Sequence, residues 1–315
     1  MQKKITIIGA GSVGAATAYS ILARGAASEV VLIDINTDKA LGEALDIKQA
    51  TPFLDNCDII AGSYADAVGS DVVIITSGVG RKPGQTRLEL VQINVNILKS
   101  IATEITKYAP NALYILVANP VDVLTYAFIK YTGLPKSQVF GTGTVLDTIR
   151  LRTRLAEIYN VNKAQVHANV LGEHGDSSFV AWSSATIAGV PIDEYNASIA
   201  TAYSLPTEYK REDIETYVKK SGGKIISRKG STVFGIATTS MHIVKTIAGK
   251  AETAMTVSSL HEGEYGLSEV CLSSLTLVGA QGVKSIITQN LSDEELKKMH
   301  ASAEALKEVI KGAGL

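Results

Sequence analysis

The glycines of Gly9-Ala10-Gly11-Ser12-Val13-Gly14 stand directly after the apolar run Ile5-Thr6-Ile7-Ile8 and directly before a stretch of helix-forming residues. A strand that turns tightly into a helix needs a residue free to take positive φ, another that lets backbone approach a ligand, and a third where helix and strand touch. The unpaired amides of the helix N-terminus then face an anion, and a pyrophosphate suits that geometry. A second apolar run, Val30-Val31-Leu32-Ile33, ends in Asp34, twenty residues past Gly14. A carboxylate there accepts hydrogen bonds from ribose hydroxyls and repels a 2′-phosphate, so the pattern predicts NAD rather than NADP. Gly9, Gly11, Val13, Gly14 and Asp34 are the expected cofactor residues.

Short apolar runs without polar alternation recur at Val72–Ile75 and Tyr114–Ala118, separated by segments of helical length. They predict parallel strands buried on both faces. Ligands of such sheets bind beyond the carboxyl ends of the strands, where Gly9, Asp34, Gly78 and Asn119 fall, so Gly78 and Asn119 join the expected site. Residues 1–141 therefore read as a doubly wound α/β domain of the Rossmann kind. Past Gly141 the pattern changes to a helix from Leu146 to Tyr159, a polar segment over Gly172–Ser178, and further helical and strand-like pieces. This predicts a second, mixed α+β substrate domain over residues 142–315. Gly222-Gly223 and Gly230 read as loop, and Ser292-Asp293-Glu294-Glu295 reads as a capping box opening a last amphipathic helix.

With 315 residues, 46% of them hydrophobic, the chain can bury a large core and form two domains sharing a cleft. Thirty Lys and Arg against thirty-one Asp and Glu give a net charge of -1, which argues against a nucleic-acid partner. Cys57 and Cys271 stand far apart, with no spacing that suggests a disulfide framework or a metal site. No leader and no long apolar run are visible, so no membrane partner and a cytoplasmic location are expected.

Gly172-Glu173-His174-Gly175-Asp176-Ser177 sets a histidine between glycines in a polar turn, where the ring can project into a cleft and exchange protons. Asp147 and Arg150, three apart near the start of the Leu146–Tyr159 helix, share one helix face. By spacing alone they could be an ordinary solvated ion pair. Taken with the glycine turn, Asp34, Ala118-Asn119-Pro120-Val121-Asp122 and Leu146-Asp147-Thr148-Ile149-Arg150, the order and spacing resemble the L-lactate/malate dehydrogenase family over essentially the whole chain. The resemblance implies an NAD-dependent oxidoreductase acting on a 2-keto or 2-hydroxy acid. It implies His174 as proton donor and acceptor, Asp147 as its partner, Arg150 as anchor of the substrate carboxylate, Arg87 as polariser of the reacting C–O bond, and Asn119 in contact with substrate and cofactor. Arg87 follows a Gly- and Pro-containing segment and opens a capping box, Thr86-Arg87-Leu88-Glu89, so a closing lid is expected there.

Two signals pull the substrate apart. Arg81 occupies the lid position at which malate enzymes of the family resemble Arg and lactate enzymes Gln, and a cation there welcomes a second carboxylate. Glu173, Trp182 and Thr232 resemble the lactate members instead. Arg152 and His167 resemble cationic ligands for fructose bisphosphate at a subunit interface of bacterial lactate enzymes, and the family likeness implies a homotetramer. The weight falls on pyruvate reduction to L-lactate, with oxaloacetate reduction as the alternative. A protein that binds NAD without turnover is the second alternative, though it has no need of a proton shuttle.

Overall fold

The computed structural model describes residues 3–54, 57–80, 84, 86–200 and 210–315, the side chains of residues 87 and 200 excepted. The first half alternates strand and helix: β1 (Lys4–Ile8), α1 (Ser12–Ala23), β2 (Glu29–Ile33), α2 (Thr37–Ala50), β3 (Asp58–Ala61), β4 (Val72–Ile75), α3 (Arg87–Tyr108), β5 (Leu113–Leu116), α4 (Val121–Thr132) and β6 (Val139–Gly141). These six strands pair in parallel in the order β6-β5-β4-β1-β2-β3. Strand alternation splits the core into two layers. Val73 and Ile75 of β4 join Val91, Val95, Leu98, Leu124 and Phe128 on one side, while Val72 and Ile74 join Ala18, Ile21, Leu22 and Ala44 on the other. Both faces of the sheet are buried, which explains why its strands read as continuous apolar runs.

The second half begins with α5 (Val145–Tyr159), followed by short strands β7 (Val166–His167), β8 (Val170–Leu171), β9 (Phe179–Val180), β10 (Thr186–Ile187) and β11 (Val190–Pro191). Then come α6 (Ile192–Ala200), α7 (Arg211–Lys229), α8 (Phe234–Ala248), strands β12 (Thr253–Met255), β13 (Ser258–Glu262), β14 (Ser268–Ser273), β15 (Thr276–Gly279) and β16 (Gly282–Ile286), and α9 (Asp293–Gly312). Leu151, Leu155 and Ile158 of α5 pack with Val166, Val170, Val180, Ile187, Ile214 and Val218 in a third apolar cluster. The architecture is a Rossmann-type parallel sheet with a mixed α+β second part. Two elements cross between the halves: the antiparallel hairpin β13–β14 extends the sheet beyond β6, and Met241, Ile243, Val244 and Ile247 of α8 pack into the layer that contains α1.

One sequence expectation is corrected. Gly222-Gly223 lies inside the continuous helix α7, and only Gly230 ends it, as a C-cap with φ +84. Ile214 and Val218 of α7 pack into the third apolar cluster and hold the helix where local propensity would not. At α9 the expected capping box forms: Ser292 accepts from the Glu295 amide, and the Glu295 carboxylate accepts from the Ser292 amide. Its apolar face, Met299, Ala303, Leu306 and Ile310, is buried. Among the described residues no helix is long and apolar enough to cross a membrane.

Candidate active site

The turn after β1 is built around absent side chains. Gly9 has φ +112, and a Cβ on it would stand 2.5 Å from Thr76 Oγ1. A Cβ on Gly14 would stand 1.8 Å from the Gly9 carbonyl oxygen, whereas one on Gly11 would meet nothing within 4 Å. Two glycines are thus demanded by the packing of strand, turn and helix, and the third leaves the approach to the α1 N-terminus open. Gly11 is the N-cap of α1 and no side chain caps it, so the helix amides remain available to an anion. Asp34 is held by two amides: Oδ2 accepts from Ala10 at 2.6 Å and Oδ1 from Asn36 at 2.9 Å. Each carboxylate oxygen keeps a further acceptor site for a hydroxyl. The residues present fit a dinucleotide.

A cavity of about 610 Å³ lies next to this turn, and Val13, Gly78, Asn119, Asp147, Arg150, His174 and Thr232 all line it. On its wall His174 Nδ1 lies 2.6 Å from Asp147 Oδ2, and Arg150 Nη1 donates to Asp147 Oδ1 at 2.8 Å. The side chains of Arg150 and Asp147 are 16% and 9% exposed, so the pair is not a solvated surface pair. Burial by itself pushes the His174 imidazole down, but the charge and hydrogen bond of Asp147 and the charge of Asp122 outweigh it, and the net direction is upward. Burial likewise raises Asp147, yet His174 and Arg150 together hold it below the ordinary carboxylate range. The result is an imidazole biased toward imidazolium at the wall of the cavity.

Several supporting residues escaped the sequence reading. Asp122, fully buried at the start of α4, accepts the His174 backbone amide through Oδ2 at 2.7 Å. Burial pushes its carboxyl up to about 6, partly offset by the Ser258 hydroxyl and the His174 amide. Asn94, on α3, accepts from the Val79 amide at 2.8 Å and donates to the Asn119 carbonyl at 2.7 Å, tying the loop after β4 to the loop after β5. Ser302, on α9, accepts the Glu173 amide at 2.8 Å and lies 3.0 Å from the Ser177 hydroxyl, which donates to Glu173 Oε2 at 2.6 Å. The Asn-Pro-Val-Asp run pointed at Asp122; nothing local pointed at Asn94 or Ser302, whose partners are distant in sequence.

Arg81 lies outside the described residues, and Arg87 is the first residue of α3, its side chain likewise undescribed. Thr86 and Glu89 do form the expected capping box at that helix start. Arg152 and His167 lie away from the cavity wall. Arg152 donates to the Ala168 carbonyl at 2.9 Å and to Asn169 Oδ1 at 3.0 Å, while His167 is exposed on the short strand β7.

Residues 3–141 match the NAD binding domain of lactate/malate dehydrogenases, and residues 144–314 match their alpha/beta C-terminal domain. The chain belongs to the lactate/malate dehydrogenase family. Among its relatives in that family, an L-lactate dehydrogenase of Acetivibrio thermocellus is 44% identical over 309 residues, covering 98% of this chain and 96% of that protein. One from Thermoanaerobacterium saccharolyticum is 42% identical over 310 residues, covering 98% and 99%. The crystal structure of minor L-lactate dehydrogenase from Enterococcus mundtii in a ligands-bound form superposes with a TM-score of 0.92 at 37% identity, covering 98% of both chains. For this family member the cofactor is NAD, in keeping with the glycine cradle and Asp34.

Proposed function

We propose that this protein is an NAD-dependent L-lactate dehydrogenase, reducing pyruvate to L-lactate with His174 as acid and base. The observation that carries the reading is the His174–Asp147–Arg150 constellation, buried at the wall of the cavity that adjoins the glycine turn. Near-full-length similarity to L-lactate dehydrogenases supports the same activity.

The amides at the start of α1 and the carboxylate of Asp34 would hold the dinucleotide, with Val13, Gly78 and Asn119 beside it in the cavity. When bound, NADH supplies the hydride that reduces the carbonyl carbon of the keto acid. His174 commits Nδ1 to Asp147, so Nε2 is the nitrogen that hands a proton to the carbonyl oxygen as negative charge develops there. Asp147 stabilises the imidazolium before that transfer and fixes the ring orientation. Arg150 holds the substrate carboxylate through a planar fork that a lysine cannot copy. Arg87, at the start of α3, is assigned the polarisation of the C–O bond by the family resemblance.

Arg81 favours a second reading, in which a lid cation recruits oxaloacetate. Steady-state rates with NADH on pyruvate and on oxaloacetate, each with and without fructose bisphosphate, decide between them. Faster turnover of oxaloacetate overturns the lactate assignment, and NADH binding without turnover of any keto acid overturns catalysis altogether. Our reading also divides the subunit into domains at residues 141 and 142 and has it assemble as a homotetramer, with fructose bisphosphate held by Arg152 and His167. Activation by fructose bisphosphate that survives Arg152→Ala would remove that effector site.

A further inference from the structure

Asp122, in the first turn of α4, is 2% exposed and takes no part in the wall of the cavity. Its Oδ2 accepts the His174 amide at 2.7 Å, but Oδ1 makes no hydrogen bond among the described residues, and neither does the Ser258 hydroxyl beside it. A buried carboxylate held by a single amide is costly to keep ionised. Asparagine would accept the same amide without that cost, so the charge calls for a reason.

The groups that face Asp122 come from β13, β14 and the turn after β8. Ser258 stands on β13, and Cys271 on β14 is a thiol that burial pushes well up and keeps neutral. Glu173, in the turn, repels Asp122, its own carboxylate accepting from the Ser177 hydroxyl. Among the described residues His174 supplies the cation that draws it. Around His174 itself, Asp147 and Asp122 both favour the proton, whereas burial and the charge of Arg150 oppose it. Arg150 donates to Asp147 Oδ1, so the charge of Asp147 is divided between guanidinium and imidazole. The charge of Asp122 is spent on His174 alone.

We propose that Asp122 is a second positioning residue for proton transfer: its charge, added to that of Asp147, keeps the proton on His174 and so sets the balance between keto-acid reduction and hydroxy-acid oxidation. The proposal rests on the dehydrogenase reading above. Reduction consumes the imidazolium and oxidation starts from the neutral imidazole, so one change in proton affinity acts on the two directions with opposite sign. An opposite charge within ionic reach moves a titrating group by about one unit or more. In Asp122→Asn the carboxamide oxygen still accepts the His174 amide, its NH2 can donate to the Ser258 hydroxyl, and the charge is what is lost.

The test records pH profiles of kcat/KM for pyruvate with NADH and for L-lactate with NAD, on the full chain and on its Asp122→Asn and Ser302→Ala variants. In Asp122→Asn the alkaline limb of reduction and the acid limb of oxidation are both expected to lie about one unit lower. Oxidation at about pH 6 should then gain up to about ten-fold, while reduction at about pH 8 loses as much. Ser302→Ala disturbs the same turn without removing a charge, and both limbs should stay in place. On the unaltered protein, the NMR signal of the Asp122 carboxyl carbon should move at the pH where the His174 ring titrates, the mark of two coupled groups. Unmoved limbs in Asp122→Asn, equal losses in both directions, or limbs that move as far in Ser302→Ala overturn the proposal. Should Asp122→Asn fail to fold, a carboxyl signal that ignores the His174 titration overturns it. Inactivity on every keto acid alongside intact NADH binding overturns the dehydrogenase reading instead.

Discussion

A carboxylate 2.6 Å from Nδ1 makes His174 a stronger base than a free imidazole, despite the burial that pulls it the other way. Because its folded pKa is raised, this histidine adds stability that is complete below the ordinary value of about 6.5 and fades as pH rises through the folded value. Asp147, whose folded pKa is lowered, adds stability above the ordinary carboxylate value that is lost as pH falls through the folded one. Pyruvate reduction needs the imidazolium, so kcat/KM is expected to fall on the alkaline side at a pH above about 6.5. Asp147→Asn should move that limb to lower pH and reduce the rate by about a hundred-fold or more; an unmoved limb in the pH profile would remove Asp147 from its role. Arg150→Lys keeps the charge but loses the fork, and is expected to raise the KM for pyruvate by about ten-fold or more while leaving the NADH Kd unchanged. Asp122 could not be weighted from sequence, since its bond to the His174 amide spans 52 positions.

At the scale of elements, α9 supports a turn it never touches in sequence. Its N-terminus is secured locally by Ser292 and Glu295, and its buried face docks Ser302 under the His174 turn. Ser302→Ala leaves the Glu173 amide without its acceptor and the Ser177 hydroxyl with Glu173 as its remaining partner, at a cost of about 1–3 kcal/mol. Denaturant unfolding should register that loss, and kcat should fall more than NADH affinity. Equal stability and equal kcat in the variant would show that α9 does not hold the turn. Helix α7 shows the limit of local signals. Gly222-Gly223 reads as a break by propensity, yet Ile214 and Val218 anchor the helix in the third apolar cluster and carry it through.

On the scale of the whole molecule, the cofactor turn and the proton-transfer group come from opposite halves of the chain, joined by packing rather than by a hinge of free loop. The β13–β14 hairpin lengthens the parallel sheet, and α8 shares an apolar layer with α1. Binding at the glycine turn should therefore stabilise the molecule as a unit. At NADH a hundred-fold above its Kd, folding stability is expected to rise by about 2.7 kcal/mol, seen as an increase in Tm. Gly14→Ala, whose Cβ would stand 1.8 Å from the Gly9 carbonyl oxygen, should abolish that increase. A variant that gains as much Tm from NADH as the unaltered protein would show that the turn is not the cofactor cradle.

Order along the chain was enough to determine the Rossmann sheet, the glycine turn, the acid after the second strand and the family. Each of these depends on neighbours close in sequence: buried strands read as apolar runs, and a tight turn needs glycine whatever surrounds it. Tertiary structure alone decided that Asp147 and Arg150 form a buried pair on His174, that Asp122, Asn94 and Ser302 hold the loops around them, and that a glycine pair lies within a helix facing the cavity. Those outcomes depend on which distant segments pack together, and burial, unlike local propensity, is a property of the assembled chain.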